Sequence, residues 1–172
     1  MNPNIVLIGM PGAGKSTIGV MLAKLLSKRF IDTDLLIQNR HETSLQDIIE
    51  TRGYMELRRI EEDEILHMNA ENSVIATGGS AVYSDTAMRH LKQDGIVLYL
   101  KNIIEELAGR IHDFETRGLA KKKEQSFYAL FAEREALYRR YADITIECGK
   151  KNHQDILLEI VTAFVNAASG PS

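Results

Sequence analysis

The residues best suited to chemistry near the amino terminus form the stretch GMPGAGKST, from Gly9 to Thr17. It fits the pattern G-x-x-x-x-G-K-[ST], between an apolar run, NIVLIG, typical of a buried strand and a helical stretch, STIGVMLAKLLSKR. Such a loop turns backbone N–H groups toward phosphate oxygens, while its lysine bridges the outer phosphates and its first hydroxyl binds Mg²⁺. The complete pattern disfavours a simple glycine-rich turn. The predicted nucleotide-binding residues are Gly12, Ala13, Gly14, Lys15, Ser16 and Thr17.

Two carboxylates follow the next predicted strand, in the stretch FIDTDLLI. Asp32 and Asp34 are two residues apart, so on a strand end they would share one face. One could then contact Mg²⁺ through water and the other an acceptor hydroxyl. An isolated aspartate pair at a strand end is more often a turn or a helix cap. Behind a phosphate loop, we favour the functional interpretation.

The stretch ELRRIEED places two arginines one helical turn before two glutamates. A solvated helix face with ion pairs at i,i+3 and i,i+4 explains such a pattern, and we expect it to apply to Arg59 and Glu62. Arg58 remains a candidate for binding. In VIATGGSAV, Gly78 and Gly79 follow a buried strand and form either a plain turn or a place where a ligand touches the main chain.

Composition limits the class of protein. A chain of 172 residues suits one domain with a full core, and its net charge of −3 with mixed charges disfavours nucleic acid as a partner. The lone Cys148 cannot form an internal disulfide, so we expect a reducing cytoplasm and a packing role for this thiol. No apolar run is long enough to cross a bilayer, and we expect no membrane partner. The one basic cluster, AKKKE, is a solvated helix start or a region that attracts nucleotide.

Short apolar strands alternate with helical stretches along the chain, which predicts an α/β fold with a parallel sheet covered by helices on both faces. Ser44 with Asp47 is typical of a helix start, and Gly53 is expected to separate two helices. The stretch HDFETRGLAKKKE is polar and aperiodic, and is the candidate mobile loop. The predicted strands are NIVLI, RFIDTD, SVIATGG, GIVLYLK and DITIEC.

These motifs, in this order, resemble the shikimate kinase family along nearly the whole chain. The resemblance implies a P-loop fold with a five-stranded sheet in the order 2-3-1-4-5 and a mobile lid at about 111–124. It also implies that shikimate is bound by Asp34, Arg58, Gly78, Gly79 and, in EREALY, Arg134. Lys15, Ser16 and Asp32 would serve ATP and Mg²⁺, with Ser16 and Asp32 as the metal site. Arg117 would belong to the lid and Arg110 would lie near the adenine.

The chemistry expected from the resemblance is phosphorylation of a small hydroxy acid by ATP, with shikimate phosphorylated on its 3-hydroxyl in aromatic amino-acid biosynthesis. Arg58 and Arg134 would grip the carboxylate, since guanidinium can bind it bidentately. Lys15, Asp34 and Arg117 would be catalytic: Asp34 orients the attacking hydroxyl and could accept its proton, and the cations share the γ-phosphate charge. Lid closure would exclude water. We expect a single-domain, cytoplasmic monomer covering residues 1–172.

Two positions depart from the family pattern. Ser80 stands where a third glycine is usual, and Gly118 replaces the proline of an Arg-Pro-Leu lid. Ser80 could narrow the acceptor site or add a hydroxyl to it, and Gly118 should loosen the lid. The alternatives are a related kinase acting on another hydroxylated metabolite and a nucleotide-binding regulatory module. Arg134 could instead form ion pairs with its neighbours Glu133 or Glu135 on a solvated helix.

Overall fold

The strands and helices alternate along the chain much as the sequence predicts. The computed structural model describes residues 3–110, 119–122 and 124–168, with Arg110 described for its backbone alone. The strands are β1 (Asn4–Ile8), β2 (Arg29–Asp32), β3 (Ser73–Ala76), β4 (Gly95–Lys101) and β5 (Ile144–Glu147). The helices are α1 (Lys15–Leu26), α2 (Thr33–His41), α3 (Leu45–Arg52), α4 (Tyr54–His67), α5 (Asp85–Gln93), α6 (Ile104–Arg110), α7 (Phe127–Tyr141) and α8 (His153–Ala168). A short 3₁₀ helix spans Ala81–Tyr83.

The five strands form one parallel sheet in the order β2-β3-β1-β4-β5, which confirms the predicted fold class. All of β1 is buried, and its side chains alternate between two cores. Val6 and Ile8 belong to one core, and Ile5 and Leu7 to the other. The strand is apolar throughout because both faces of a parallel sheet are covered by helices.

Helices α1 and α8 cover one face, where Ile18 and Ile160 pack with the strands. Helices α4, α5 and α7 cover the other, with Ile65, Met88 and Leu130 in its core. Cys148 is buried in the core beneath α1 and α8, as its predicted packing role requires. Among the described residues, no helix is long and apolar enough to span a membrane.

A third, smaller core lies among α2, α3 and α4 and fixes the place of α4, which carries Arg58. It is formed by Ile37, Ile48, Leu57, Ile60 and Ala120. The start of α3 is capped as predicted, since Ser44 Oγ accepts a hydrogen bond from the backbone N–H of Asp47 at 3.0 Å. Gly53, with φ of 88°, ends α3 and begins α4, also as predicted.

The prediction for the aspartate pair is wrong in its local geometry. Strand β2 ends at Asp32 and α2 begins at Thr33, so the two carboxylates do not share a strand face. Asp32 is the N-cap of α2, and its Oδ1 accepts from the N–H groups of Asp34 and Leu35 at 3.0 and 3.3 Å. A carboxylate at this position satisfies N–H groups that have no carbonyl partner in the helix. Asp34 therefore lies in the first turn of α2.

Candidate active site

The carboxyl ends of β1, β2 and β3 are neighbours in the sheet, so the segments that follow them meet at one edge. A cavity of about 420 Å³ opens there. This is where open α/β sheets bind their ligands. The phosphate loop lies on one side of the cavity, and helices α2, α4 and α7 contribute side chains to the other. The predicted site residues that line it are Gly12, Gly14, Lys15, Ser16, Thr17, Asp34, Gly78, Gly79 and Arg134.

The phosphate loop turns at two glycines in left-handed conformations. Gly12 has a φ of 80° and Gly14 a φ of 88°, values that side chains disfavour. Helix α1 begins directly after Gly14, with no side-chain cap. The first N–H groups of a helix have no carbonyl partner within it, so they are available to an anion. The loop thus has the backbone geometry of a phosphate site.

Lys15 is buried, and its ammonium is bonded to the loop itself. Nζ donates to the carbonyl oxygens of Gly9 and Met10, at 2.7 and 2.9 Å. Burial lowers the pKa of Lys15 to about 8, although the nearby Asp34 opposes this shift. Removing an ammonium group from water is costly, and a phosphate anion would offset that cost.

The candidate magnesium residues lie side by side. Ser16 Oγ donates to Asp32 Oδ2 at 2.6 Å, at the start of α1. Hydroxyl and carboxylate oxygens are the ligands that Mg²⁺ prefers, together with water and phosphate oxygens. Because Asp32 Oδ1 is used in capping α2, Oδ2 is the oxygen turned toward Ser16. These two residues therefore fit a magnesium ion held mainly by phosphate.

Asp34 and Gly78 meet on the side of the cavity away from the phosphate loop, which we call the acceptor side because the predicted acceptor residues lie there. Thr33, fully buried beside them, accepts a hydrogen bond from the N–H of Gly78 at 2.9 Å and ties α2 to the end of β3. A Cβ atom on Gly78 would lie 2.6 Å from Asp34 Oδ1 and closer still to Glu61 Oε1. The glycine is therefore needed so that two carboxyl groups can approach the main chain. Burial raises the pKa of Asp34, and Lys15 partly counteracts this.

Arg134 reaches the same place from α7 and is only 1% exposed. Its Nη2 donates to the carbonyl of Ala120 at 3.0 Å, and its Nε has no hydrogen-bond partner in the described part of the chain. A Cβ on Gly79 would lie 2.8 Å from Arg134 Nη1, so this glycine also makes room for a side chain. The alternative of a solvated ion pair is wrong, because Glu135 pairs with Arg139 and Glu133 accepts from Tyr83.

Arg58 contacts the same carbonyl group but does not line the main cavity. Its Nη2 donates to Ala120 O at 3.1 Å, while the guanidinium carbon lies 3.5 Å from the centre of the Tyr83 ring. Arg58 instead lines an adjoining groove with Tyr83 and Ser80. Arg59 lies on the solvated face, as expected, but its partner is Glu56 and not a later glutamate.

Several residues that line the cavity were not among the predicted site residues, Leu119, Ala120 and Glu61 among them. Leu119 and Ala120 line the cavity, and sequence patterns alone could not place this irregular segment there. Glu61 also lines it and is 3% exposed. Its position three residues after Arg58, on the same side of α4, is the signal that was available. Burial raises the pKa of Glu61 to about 7, and the neighbouring Asp34 adds to the shift.

Two predicted residues cannot be placed. Arg117 lies outside the described residues, together with most of the predicted lid. The side chain of Arg110, at the end of α6, is likewise not described. Their roles remain predictions. The last part of the lid range includes Leu119 and Ala120, which are buried against the acceptor side.

Comparison with known proteins identifies the family. The family model described as shikimate kinase matches residues 11–165. The chain belongs to the shikimate kinase family. Members related to it include the shikimate kinase of Nitrosospira multiformis, 41% identical over 153 residues that cover 87% of this chain and 78% of that protein. The shikimate kinase of Sulfurihydrogenibium is 34% identical, over 92% of this chain and 96% of that protein.

Solved structures agree with this family assignment. Shikimate kinase from Acinetobacter baumannii, determined in complex with shikimate, superposes with a TM-score of 0.87. It is 33% identical, and the match covers 96% of this chain and 94% of that one. As a shikimate kinase family member, the chain is an ATP-dependent kinase that acts on a hydroxyl group.

Proposed function

We propose that this protein transfers the γ-phosphate of ATP to the 3-hydroxyl of shikimate, as a step of aromatic amino-acid biosynthesis. The observation that supports this most directly is the single cavity that joins the phosphate loop to Asp34 and the buried Arg134. A nucleotide site and a site for a small anionic alcohol are thereby brought together. Phosphoryl transfer needs such positioning and charge neutralisation more than covalent help from the protein.

On the nucleotide side, the loop from Gly12 to Thr17 would bind the phosphates. Lys15 would exchange its bonds to two loop carbonyls for bonds to phosphate oxygens. Ser16 and Asp32 would hold Mg²⁺, which neutralises charge on the phosphates. From the resemblance to the family, we also expect Arg110 to lie near the adenine and Arg117 to lie over the γ-phosphate.

On the acceptor side, Arg134 and Arg58 would bind the carboxylate. Both donate to the carbonyl of Ala120, so their guanidinium groups already converge on one oxygen atom. Asp34 would accept a hydrogen bond from the hydroxyl that is phosphorylated, and the main chain at Gly78 and Gly79 would complete the contacts. Charged bonds of this type are worth about 1.5–3 kcal/mol each.

We propose one kinase domain over residues 1–172, with a lid at about 111–124 that closes over the site. The protein would act as a monomer in the cytoplasm, with small molecules as its partners and no role for nucleic acid or membrane. The mixed surface charge, with a net value of −3, agrees with this choice of partners.

The test is ADP formation by purified protein with ATP and Mg²⁺, across a panel of hydroxy acids that includes shikimate. We expect shikimate to give the highest kcat/KM and the product to be shikimate 3-phosphate. Folded protein that binds ATP but leaves shikimate unphosphorylated would contradict the proposal. Activity with a different acid would then favour a related kinase.

A further inference from the structure

Ser80 departs from the glycine usual in this family, and the structure shows where its hydroxyl goes. Ser80 follows Gly79 and precedes the 3₁₀ helix, and it is buried. Its Oγ donates a hydrogen bond to Oε2 of Glu61, which projects from α4. Both residues line the main cavity. The hydroxyl is therefore used inside the protein, where it joins the end of β3 to α4.

The other oxygen of the same carboxyl group is not bonded. Glu61 Oε1 is buried and has no hydrogen-bond partner within the described residues. It lies next to Gly78 and Asp34, because a Cβ on Gly78 would contact both carboxyl groups. A buried polar atom without a partner is costly to the fold, and such atoms in cavities commonly serve ligands or bound water.

The groups that face Glu61 come from several elements. Asp34 on α2 disfavours ionisation of Glu61, whereas Lys15 on α1 and Arg134 on α7 favour it. The hydrogen bond from Ser80 also lowers the pKa of Glu61. Tyr138 on α7 also interacts electrostatically with Glu61. Ser80 thus affects both the orientation and the charge of this carboxyl group.

We propose that Ser80 is a positioning residue for the acceptor site. Ser80 holds Glu61 so that Oε1 of the glutamate accepts a hydrogen bond from a hydroxyl of the acceptor, or from water bound to the acceptor. This inference rests on the proposed function. A glutamate side chain has several rotatable bonds, and anchoring Oε2 removes the freedom that acceptor binding would otherwise have to remove. The acceptor site is therefore preorganised by a residue that does not touch the reacting atoms.

The experiment compares wild type, Ser80→Ala, Glu61→Gln and the double variant by steady-state kinetics with shikimate and ATP. Ser80→Ala should raise the KM for shikimate about tenfold, the size expected for one lost hydrogen bond, with kcat and the KM for ATP within about twofold. The double variant should be no worse than Glu61→Gln alone, because coupled residues are not additive. Additive effects would contradict the coupling.

The matched control is Ser84→Ala. The Ser84 hydroxyl accepts from the N–H of Ala87 at 3.0 Å and caps α5, so its loss should lower Tm without a change in the KM for shikimate. A pH profile separates positioning from a structural role. The apparent pKa seen in the pH dependence of the KM for shikimate should rise in Ser80→Ala. In Glu61→Gln this pH dependence should disappear.

Each failure has its own signature. If folded wild-type protein binds ATP but does not phosphorylate shikimate, the proposed function and this inference both fail. If wild type is active and Ser80→Ala has an unchanged KM for shikimate and an unchanged pH profile, the inference alone fails.

Discussion

The two sides of the cavity differ in how their polar groups are satisfied. On the nucleotide side, Lys15 donates to two loop carbonyls and Ser16 donates to Asp32. On the acceptor side, Arg134 Nε and Glu61 Oε1 are buried without a hydrogen-bond partner among the described residues. In the proposed binding mode, ATP would only exchange bonds that exist already, whereas the acceptor would also supply bonds that are missing. Substitutions on the two sides should consequently change different kinetic constants.

The largest effect should follow from Lys15→Met, which removes the cation of the nucleotide side. We expect kcat to fall by about a thousandfold or more, because the ammonium stabilises charge that develops during transfer. Tm should be unchanged or higher, since burial of the ammonium is costly and methionine has a similar length. Lys24→Met, at an exposed position on the same helix, is the control. Turnover by Lys15→Met at the wild-type rate would refute the role of the loop.

The next largest effect tests the acceptor side. Arg134→Ala and Arg58→Ala should each raise the KM for shikimate about a hundredfold, with the dissociation constant for ATP nearly unchanged. Arg59→Ala is the matched control for Arg58, because the Arg59 side chain is 67% exposed and its pair with Glu56 is worth little. Isothermal titration with each ligand measures the two affinities separately. Weakened ATP binding with unchanged shikimate binding would contradict the assignment of these arginines to the acceptor side.

The smallest expected effect is on stability. The pKa of Glu61 is about 7 in the folded chain against an ordinary value of 4.5, so the folded state binds more protons between these values. The stability that Glu61 contributes then falls as pH rises through this window. Relative to wild type, Glu61→Gln should gain unfolding free energy as pH rises from about 4 to about 8, by up to a few kcal/mol, since each pKa unit is worth about 1.4 kcal/mol.

Urea denaturation at both pH values measures this gain. Glu62→Gln, at the adjacent and less buried position of α4, is the matched control. A pH-independent difference between Glu61→Gln and wild type would show that Glu61 titrates normally.

Sequence alone predicted the elements whose apolar pattern is strong. Strands β1 and β4 have the predicted bounds, because each is a largely apolar run with definite ends. Helix α2 was missed since Leu35 is exposed and the element has little apolar periodicity. Its signal was the cap at Asp32, which was interpreted as a strand end.

The site was predictable where a motif fixes the local backbone, as in the loop that ends with Lys15. It was less predictable where distant elements supply the side chains. In the sequence, Glu61 resembles a surface glutamate on its helix. Only in the folded chain do Gly78 and Ser80, which follow β3, lie against it. Arg58 lies on a helix, as expected, but its side chain stacks on Tyr83 in a groove beside the cavity. This placement depends on packing between α4 and the 3₁₀ helix.

The carbonyl group of Ala120 has a consequence for affinity. It accepts from Arg58 and Arg134 at 3.1 and 3.0 Å, as one oxygen of a bound carboxylate would. If both arginines bind the acceptor carboxylate as proposed, this carbonyl group competes with the acceptor inside the molecule, at an effective concentration that dilution of the protein cannot lower. The observed dissociation constant of the acceptor would then equal the intrinsic constant divided by the fraction of molecules in which both arginines are released from Ala120. Evolution can therefore tune acceptor affinity through residues 119–122 while both arginines stay the same.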